Sequence, residues 1–86
     1  MYVIVTYDVG VKRNPKVLKI CRRYLEHVQK SVFEGFITDK KMIRFQKEIQ
    51  KVINPEEDQV AIYEFDSERY TRKEMIGYHI SRDNVL

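Results

Sequence analysis

Extended segments alternate with two amphipathic helical segments within only 86 residues, and this order constrains the fold more than any other feature. An apolar, β-branched and aromatic run from Tyr2 to Tyr7 predicts a first strand that ends at Asp8, before Gly10. The alternating segment Gln59–Phe65 predicts a strand after the second helix. Residues 28–37 also read as extended, either as one kinked strand or as two very short ones.

Each helical segment has one apolar face and recognisable boundaries. Asn14 is the predicted N-cap of the first helix, because Pro15 suits its first helical position. Thr38 or Asp39 caps the second helix, and the Asn54–Pro55 dipeptide ends it, since a residue before proline avoids helical geometry. The apolar positions are Val17, Leu18, Cys21, Tyr24, Leu25 and Val28 in the first helix, and Met42, Phe45, Ile49, Val52 and Ile53 in the second.

The element order predicts an α+β, ferredoxin-like βαββαβ fold in a single domain of residues 1–86. Residues 67–73 are predicted to form a loop. Residues 75–80 are predicted to form an extra strand, and the whole segment 75–86 to pack on a partner subunit. Both helices would cover one sheet face and leave the other uncovered. This arrangement favours a homodimer in which a second copy pairs either face to face or at a sheet edge.

Several classes of protein are disfavoured. No apolar run reaches the roughly 18 residues of a membrane span, and the N-terminus lacks a basic leader, so we predict a cytoplasmic protein without membrane contact. Cys21, the one cysteine, lies on an apolar face and is predicted to be a buried structural thiol. His27 and His79 form no ligand spacing, and Tyr24 and Tyr63 are predicted to be core residues.

Charge is divided unevenly along the chain. Residues 1–53 hold 12 Lys or Arg against 5 Asp or Glu, whereas residues 54–86 hold 4 against 8. The second helix carries a basic stripe along one face, formed by Lys40, Arg44, Lys47 and Lys51. Phosphate binding would explain why these like charges lie so close together, although a solvated face is the alternative. Further candidate nucleic-acid-binding residues are Lys12, Arg13, Lys16, Arg22 and Arg23.

Asp8 is the candidate for catalysis and metal binding. Its carboxylate closes an apolar strand where the core meets solvent. Mg²⁺ needs only one or two carboxylates together with water and phosphate oxygens, so a dimer would supply enough ligands. Alternatively, Asp8 caps the turn at Val9 and Gly10.

Three segments carry a resemblance to a known family. The first is the strand ending in Tyr7 and Asp8, with a basic stretch behind it. The others are the segments 29–35, Gln-Lys-Ser-Val-Phe-Glu-Gly, and 58–63, Asp-Gln-Val-Ala-Ile-Tyr. Together they span residues 2–66. The sequence resembles the small CRISPR-associated proteins, often named endoribonucleases, that partner the CRISPR integrase in spacer acquisition.

This resemblance implies a homodimer in which the last strand joins the partner's sheet and two copies of Asp8 bind Mg²⁺ or Mn²⁺. It implies metal-dependent cleavage of RNA or DNA in some members. Ser31 and Phe33 match motif positions near the metal and the dimer interface, and Tyr7 supports the strand-end motif beside Asp8. Arg22 or Arg23 could match a basic position of the family. The Asn14–Pro15 dipeptide departs from the family, since many members have more Arg or Lys there.

Two functions therefore remain open. One is a scaffold that binds duplex DNA and bridges integrase dimers. The other is a Mg²⁺-dependent endonuclease acting on single-stranded RNA or duplex DNA. The sequence favours the scaffold, because it supplies one candidate metal ligand and no obvious general base. A ferredoxin-like toxin-type ribonuclease outside a CRISPR system is a third interpretation.

Overall fold

The structure, a computed structural model, describes residues 1–66 together with Ile76. Its elements are β1 (Tyr2–Asp8), α1 (Asn14–Tyr24), β2 (Glu26–Gln29), β3 (Val32–Phe36), α2 (Asp39–Val52) and β4 (Gln59–Phe65). The four strands form one antiparallel sheet in the order β2-β3-β1-β4. The predicted α+β, ferredoxin-like arrangement is confirmed.

The extended segment after α1 forms two strands rather than one. β2 and β3 pair as a hairpin, and Lys30 in the turn between them has a positive φ of 36°. α1 ends earlier than predicted, because Leu25 adopts extended geometry while its N–H still bonds the carbonyl of Cys21. Val28 therefore lies in β2, and its placement on the helical face was wrong.

The two helices begin differently. The Thr38 hydroxyl accepts a hydrogen bond from the Lys41 N–H at 3.2 Å, which confirms one of the two predicted caps of α2. In α1 the N-cap is Arg13 rather than Asn14. The Gly10 carbonyl already accepts the N–H groups of Arg13 and Asn14, so a turn runs directly into the helix and leaves no extended cap residue.

The core lies between the helices and one face of the sheet. Val3, Val5 and Tyr7 point from β1 toward the helices, and Phe33 and Phe45 are completely buried among them. Each fully buried apolar side chain of this size contributes roughly 1.5–3 kcal/mol. The helix side adds Val17, Ile20, Cys21, Met42 and Ile49. Cys21 is thus the buried thiol that the sequence predicted, and burial raises its pKa to about 12.

No described helix covers the opposite face of the sheet, here called the open sheet face. It carries the alternate strand positions, including Ile4, Val32, Phe36, Ala61 and Tyr63. Phe36 is 63% exposed and Tyr63 is 55% exposed. The prediction that Tyr63 is a core residue was wrong, because its strand parity directs it away from the helices.

The predicted loop and final strand of residues 67–86 lie outside the described residues, apart from Ile76, whose side chain is exposed. Their contribution to a dimer stays a prediction. Among the described residues, neither helix has the length and apolar character that crossing a membrane requires.

Candidate metal site and nucleic-acid interface

Asp8 is the last residue of β1, one of the two central strands. It has the strand parity of Ile4 and therefore lies at the end of the open sheet face, opposite Gln59 of β4. Its side chain is exposed, and within residues 1–66 no ion pair or side-chain hydrogen bond engages the carboxylate.

The turn that follows Asp8 is held by another carboxylate. The Gly10 N–H donates to Oδ1 of Asp58 at 2.8 Å. The alternative interpretation of Asp8 as the cap of this turn is therefore wrong. Among residues 1–66, Asp58 and not Asp8 is the carboxylate that holds this turn.

A single chain offers a divalent cation few ligands here. No group of three acidic, His or Cys side chains that could hold a metal occurs within residues 1–66. Asp8 supplies hard oxygen ligands, and the Gln59 amide on the paired strand lies beside it in register. These residues fit Mg²⁺ or Mn²⁺, because such a cation can be coordinated by one or two carboxylates, with water and phosphate oxygens as its remaining ligands.

Asp58, which lies just before β4, was not among the site residues predicted from the sequence. Its side chain is completely buried, and it accepts two hydrogen bonds from Arg13: Nε to Oδ2 at 2.5 Å and Nη2 to Oδ1 at 2.9 Å. Nη2 of Arg13 also contacts Glu57 at 3.0 Å. The Asn54 N–H donates to Oδ2 of Asp58 at 2.8 Å. Asp58 thus joins the loop after β1 to the turn before β4.

Electrostatics follow from these contacts. The Arg13 hydrogen bond, aided by the N–H groups of Asn54 and Gly10, holds the pKa of Asp58 well below its usual range. The same bond raises the pKa of Arg13. Antiparallel pairing could have revealed this contact from sequence, because the residues after β1 and before β4 must meet at one end of the sheet.

Tyr7 and Phe33 support the end of β1 from inside the core. Tyr7 is 6% exposed and stacks on the fully buried Phe33, with ring centroids 6.3 Å apart. Its N–H donates to the carbonyl of Ser31 at 3.1 Å, and burial raises the pKa of its hydroxyl to about 12. These three motif residues therefore hold the strand beneath Asp8.

The candidate cations of the helices all lie in one layer, here called the basic helical layer. The four cations of the α2 stripe are exposed, and none belongs to an ion pair among residues 1–66. On α1, Arg23 pairs with Glu48 of α2 at 2.7 Å, and Glu48 also accepts from the Tyr24 hydroxyl. The layer comprises Lys16, Arg22 and Arg23 of α1 and Lys40, Arg44, Lys47 and Lys51 of α2.

The structure separates the two candidate sites. The basic helical layer covers one sheet face, whereas Asp8 lies at the end of β1 on the other face. Lys12 and Arg13 lie in the loop between them. Lys12 is exposed, but the Arg13 guanidinium is bound by the carboxylates of Asp58 and Glu57.

Comparison with known proteins agrees with this arrangement. Residues 1–73 match the model of the family described as CRISPR associated protein Cas2. The chain is 44% identical to a CRISPR-associated endoribonuclease Cas2 of Dictyoglomus turgidum, with both chains covered in full. It is 40% identical to the protein of that name from Thermotoga maritima, over all of this chain and 99% of the other.

Solved structures give the same result. The crystal structure of Streptococcus pyogenes Cas2 at pH 6.5 superposes with a TM-score of 0.79 at 31% identity, over 90% of this chain and 100% of the other. Another Cas2 crystal structure reaches a TM-score of 0.83 at 32% identity, over 100% of this chain and 94% of the other. Sequence, topology and structural likeness agree that this chain belongs to the CRISPR-associated Cas2 family.

Proposed function

We propose that this chain is a scaffold of CRISPR spacer acquisition that binds duplex DNA and, as a homodimer, bridges integrase dimers. The observation that carries the proposal is the basic helical layer, and above all the exposed stripe Lys40, Arg44, Lys47 and Lys51 on α2. Family membership favours this role over a toxin-type ribonuclease outside a CRISPR system.

The geometry of the stripe suits a duplex backbone. Its four cations recur over eleven residues, a rise of about 16 Å along the helix axis. A DNA duplex of that length carries about ten phosphate charges. Like charges at this spacing destabilise an isolated helix, and neutralisation by phosphate would remove that cost. Such contacts position a protein on DNA without reading its sequence.

The open sheet face supports the homodimer. Phe36 and Tyr63 leave aromatic surface exposed there, and apolar surface of this kind favours burial against another protein surface. Replacing Tyr63 with Glu, or deleting residues 75–86, should weaken the dimer. Light scattering at micromolar concentration measures this, and a monomeric parent chain would contradict the homodimer.

The bridging role is tested by pull-down of the cognate integrase with and without duplex DNA. We expect the parent chain to retain the integrase and to gain from added duplex. A variant with Lys40, Arg44, Lys47 and Lys51 all changed to Glu should lose the gain from DNA. If the parent chain retains no integrase under either condition, the bridging role is wrong.

A second function, metal-dependent cleavage of phosphodiester bonds, is favoured by Asp8 itself. The relatives carry the name endoribonuclease, and an exposed carboxylate at a sheet end suits Mg²⁺ or Mn²⁺. The cation would activate water and neutralise charge on the phosphodiester. Asp8 would hold the cation, and the core contact of Tyr7 with Phe33 would keep the end of β1 in place. Because this site and the basic helical layer lie on different faces, the two functions can be tested separately.

A further inference from the structure

The contacts of Asp58 converge on the backbone that carries Asp8. Gly10, two residues after Asp8, donates its N–H to Asp58. Gln59, the β4 partner of Asp8, directly follows Asp58 in the chain. The backbone after Asp8 and the start of its partner strand are therefore attached to one buried carboxylate.

Arg13 keeps that carboxylate in place. Its Nε and Nη2 bind both oxygens of Asp58, and the two-point contact fixes direction as well as distance. Both oxygens also accept a backbone N–H, from Gly10 and from Asn54. Two anchored backbone segments thus depend on a single charged side chain.

We propose that Arg13 and Asp58 are positioning residues for Asp8. The ion pair between Arg13 and Asp58 orders the loop of residues 9–13 and thereby directs the Asp8 carboxylate toward a divalent cation. The inference rests on the proposed metal site at Asp8. Exposed carboxylates bind metal well only when surrounding contacts hold them in the productive geometry. Among residues 1–66, the contacts that hold Asp8 are those of its own strand and of the loop that follows it.

This role differs from the one that the sequence predicts for Arg13. A residue that contacts phosphate adds about 0.9 to the log–log salt slope of duplex binding. A positioning residue adds nothing to that slope but changes the affinity for metal. Because the Arg13 guanidinium is already bound to Asp58 and Glu57, we expect Arg13 to act as a positioning residue.

The test measures Mn²⁺ affinity of the full chain by isothermal titration calorimetry. Asp58→Asn places an NH₂ group where one oxygen accepted a backbone N–H, so it loses one anchor. Arg13→Gln removes the two-point contact that Nε and Nη2 of Arg13 make with Asp58. Loss of an orienting partner typically costs 10–100-fold in metal affinity, so we expect about a tenfold loss or more in both variants. Arg13→Gln should leave the salt slope for duplex DNA unchanged.

Glu48→Gln is the matched control, because it breaks the Arg23 ion pair between the helices, remote from Asp8. It should keep the parental Mn²⁺ affinity. If Arg13→Gln does not fold, Arg13→Lys replaces it, since it keeps the charge but cannot form the two-point contact, and it should also weaken Mn²⁺ binding.

The outcomes separate this inference from the site on which it rests. Loss of Mn²⁺ binding in Asp8→Asn, with parental affinity in the folded Arg13 and Asp58 variants, overturns the positioning role alone. Parental affinity in Asp8→Asn overturns the metal site and the inference with it. A salt slope about 0.9 shallower in Arg13→Gln, with Mn²⁺ affinity unchanged, assigns Arg13 to phosphate instead.

Discussion

The Asp8 end of the sheet and the basic helical layer are both charged, but their side chains are held in different ways. Near Asp8, the ion pair of Arg13 with Asp58 is supported by backbone N–H groups, and the Asp58 side chain is completely buried. In the basic helical layer, the α2 cations reach into solvent, and the ion pair of Arg23 with Glu48 is itself half-exposed.

The difference separates two kinds of task. A metal site needs an oxygen ligand in one direction, so fixed geometry is useful there. Binding a phosphate backbone without sequence readout depends on charge density and tolerates flexible side chains. The fixed contacts near the end of β1 suit the proposed metal site, and the exposed cations of α2 suit the proposed phosphate binding.

The largest expected effect comes from Asp8→Asn. If the purified protein cuts nucleic acid, this variant should reduce cleavage to background, because the amide lacks the charge that binds Mg²⁺, and EDTA should do the same. The fold should persist, since Asp8 is exposed. Duplex affinity should stay within about twofold of the parent. Parental cleavage by the Asn variant would assign the chemistry to another residue or to a contaminant.

The second prediction compares the stability of the two ion pairs. Asp58→Asn breaks a pair whose carboxylate is buried, together with an anchor of the loop, so we expect Tm to fall by about 8 °C or more. Glu48→Gln breaks a half-exposed pair, and its Tm should fall by less than about 4 °C. Calorimetry of both variants at pH 7 measures the difference. Equal shifts would mean that the two regions do not differ in rigidity.

The third prediction concerns pH. The pKa of Asp58 is lowered in the folded chain, chiefly by Arg13, whereas an unfolded Asp titrates near about 3.9. Its contribution to stability is therefore present above about pH 4 and is lost as pH falls further. The Tm difference between the parent and Asp58→Asn should narrow between about pH 5 and pH 3. A difference that stays constant over this range would argue against the lowered pKa.

Local patterns in the sequence predicted most of the fold. β4 has the predicted bounds Gln59–Phe65, and Thr38 caps α2 as one of two candidates, because both follow from short-range rules. The strand position of Asp8 was predicted for the same reason. The start of α1 was placed one residue too late, since the Gly10 turn replaces a side-chain cap.

The features that were not predicted depend on contacts between residues far apart in the sequence. Arg13 and Asp58 are 45 residues apart, and nothing local marks Asp58 as buried. Tyr63 was assigned to the core by its residue type, although strand parity places it on the open sheet face. The predicted fold already places β1 beside β4, but the register of that pairing, which decides such positions, was not predicted.

The proposal that the helices bind duplex phosphate predicts a salt dependence of duplex affinity that two charge-matched variants measure. One changes Lys47 and Lys51 to Gln, and the other changes Gln46 and Gln50 on another exposed face of α2 to Glu. Both lower the net charge by two. Fluorescence anisotropy over a range of salt gives the slope for each.

We expect a log–log slope shallower by about 1.8 in the Lys47 and Lys51 variant, because two phosphate contacts are lost. Its affinity at low salt should fall about tenfold. The Gln46 and Gln50 variant should keep the parental slope, since it removes no contact. Coincident slopes in all three proteins would contradict the claim and leave the α2 stripe as a solvated surface.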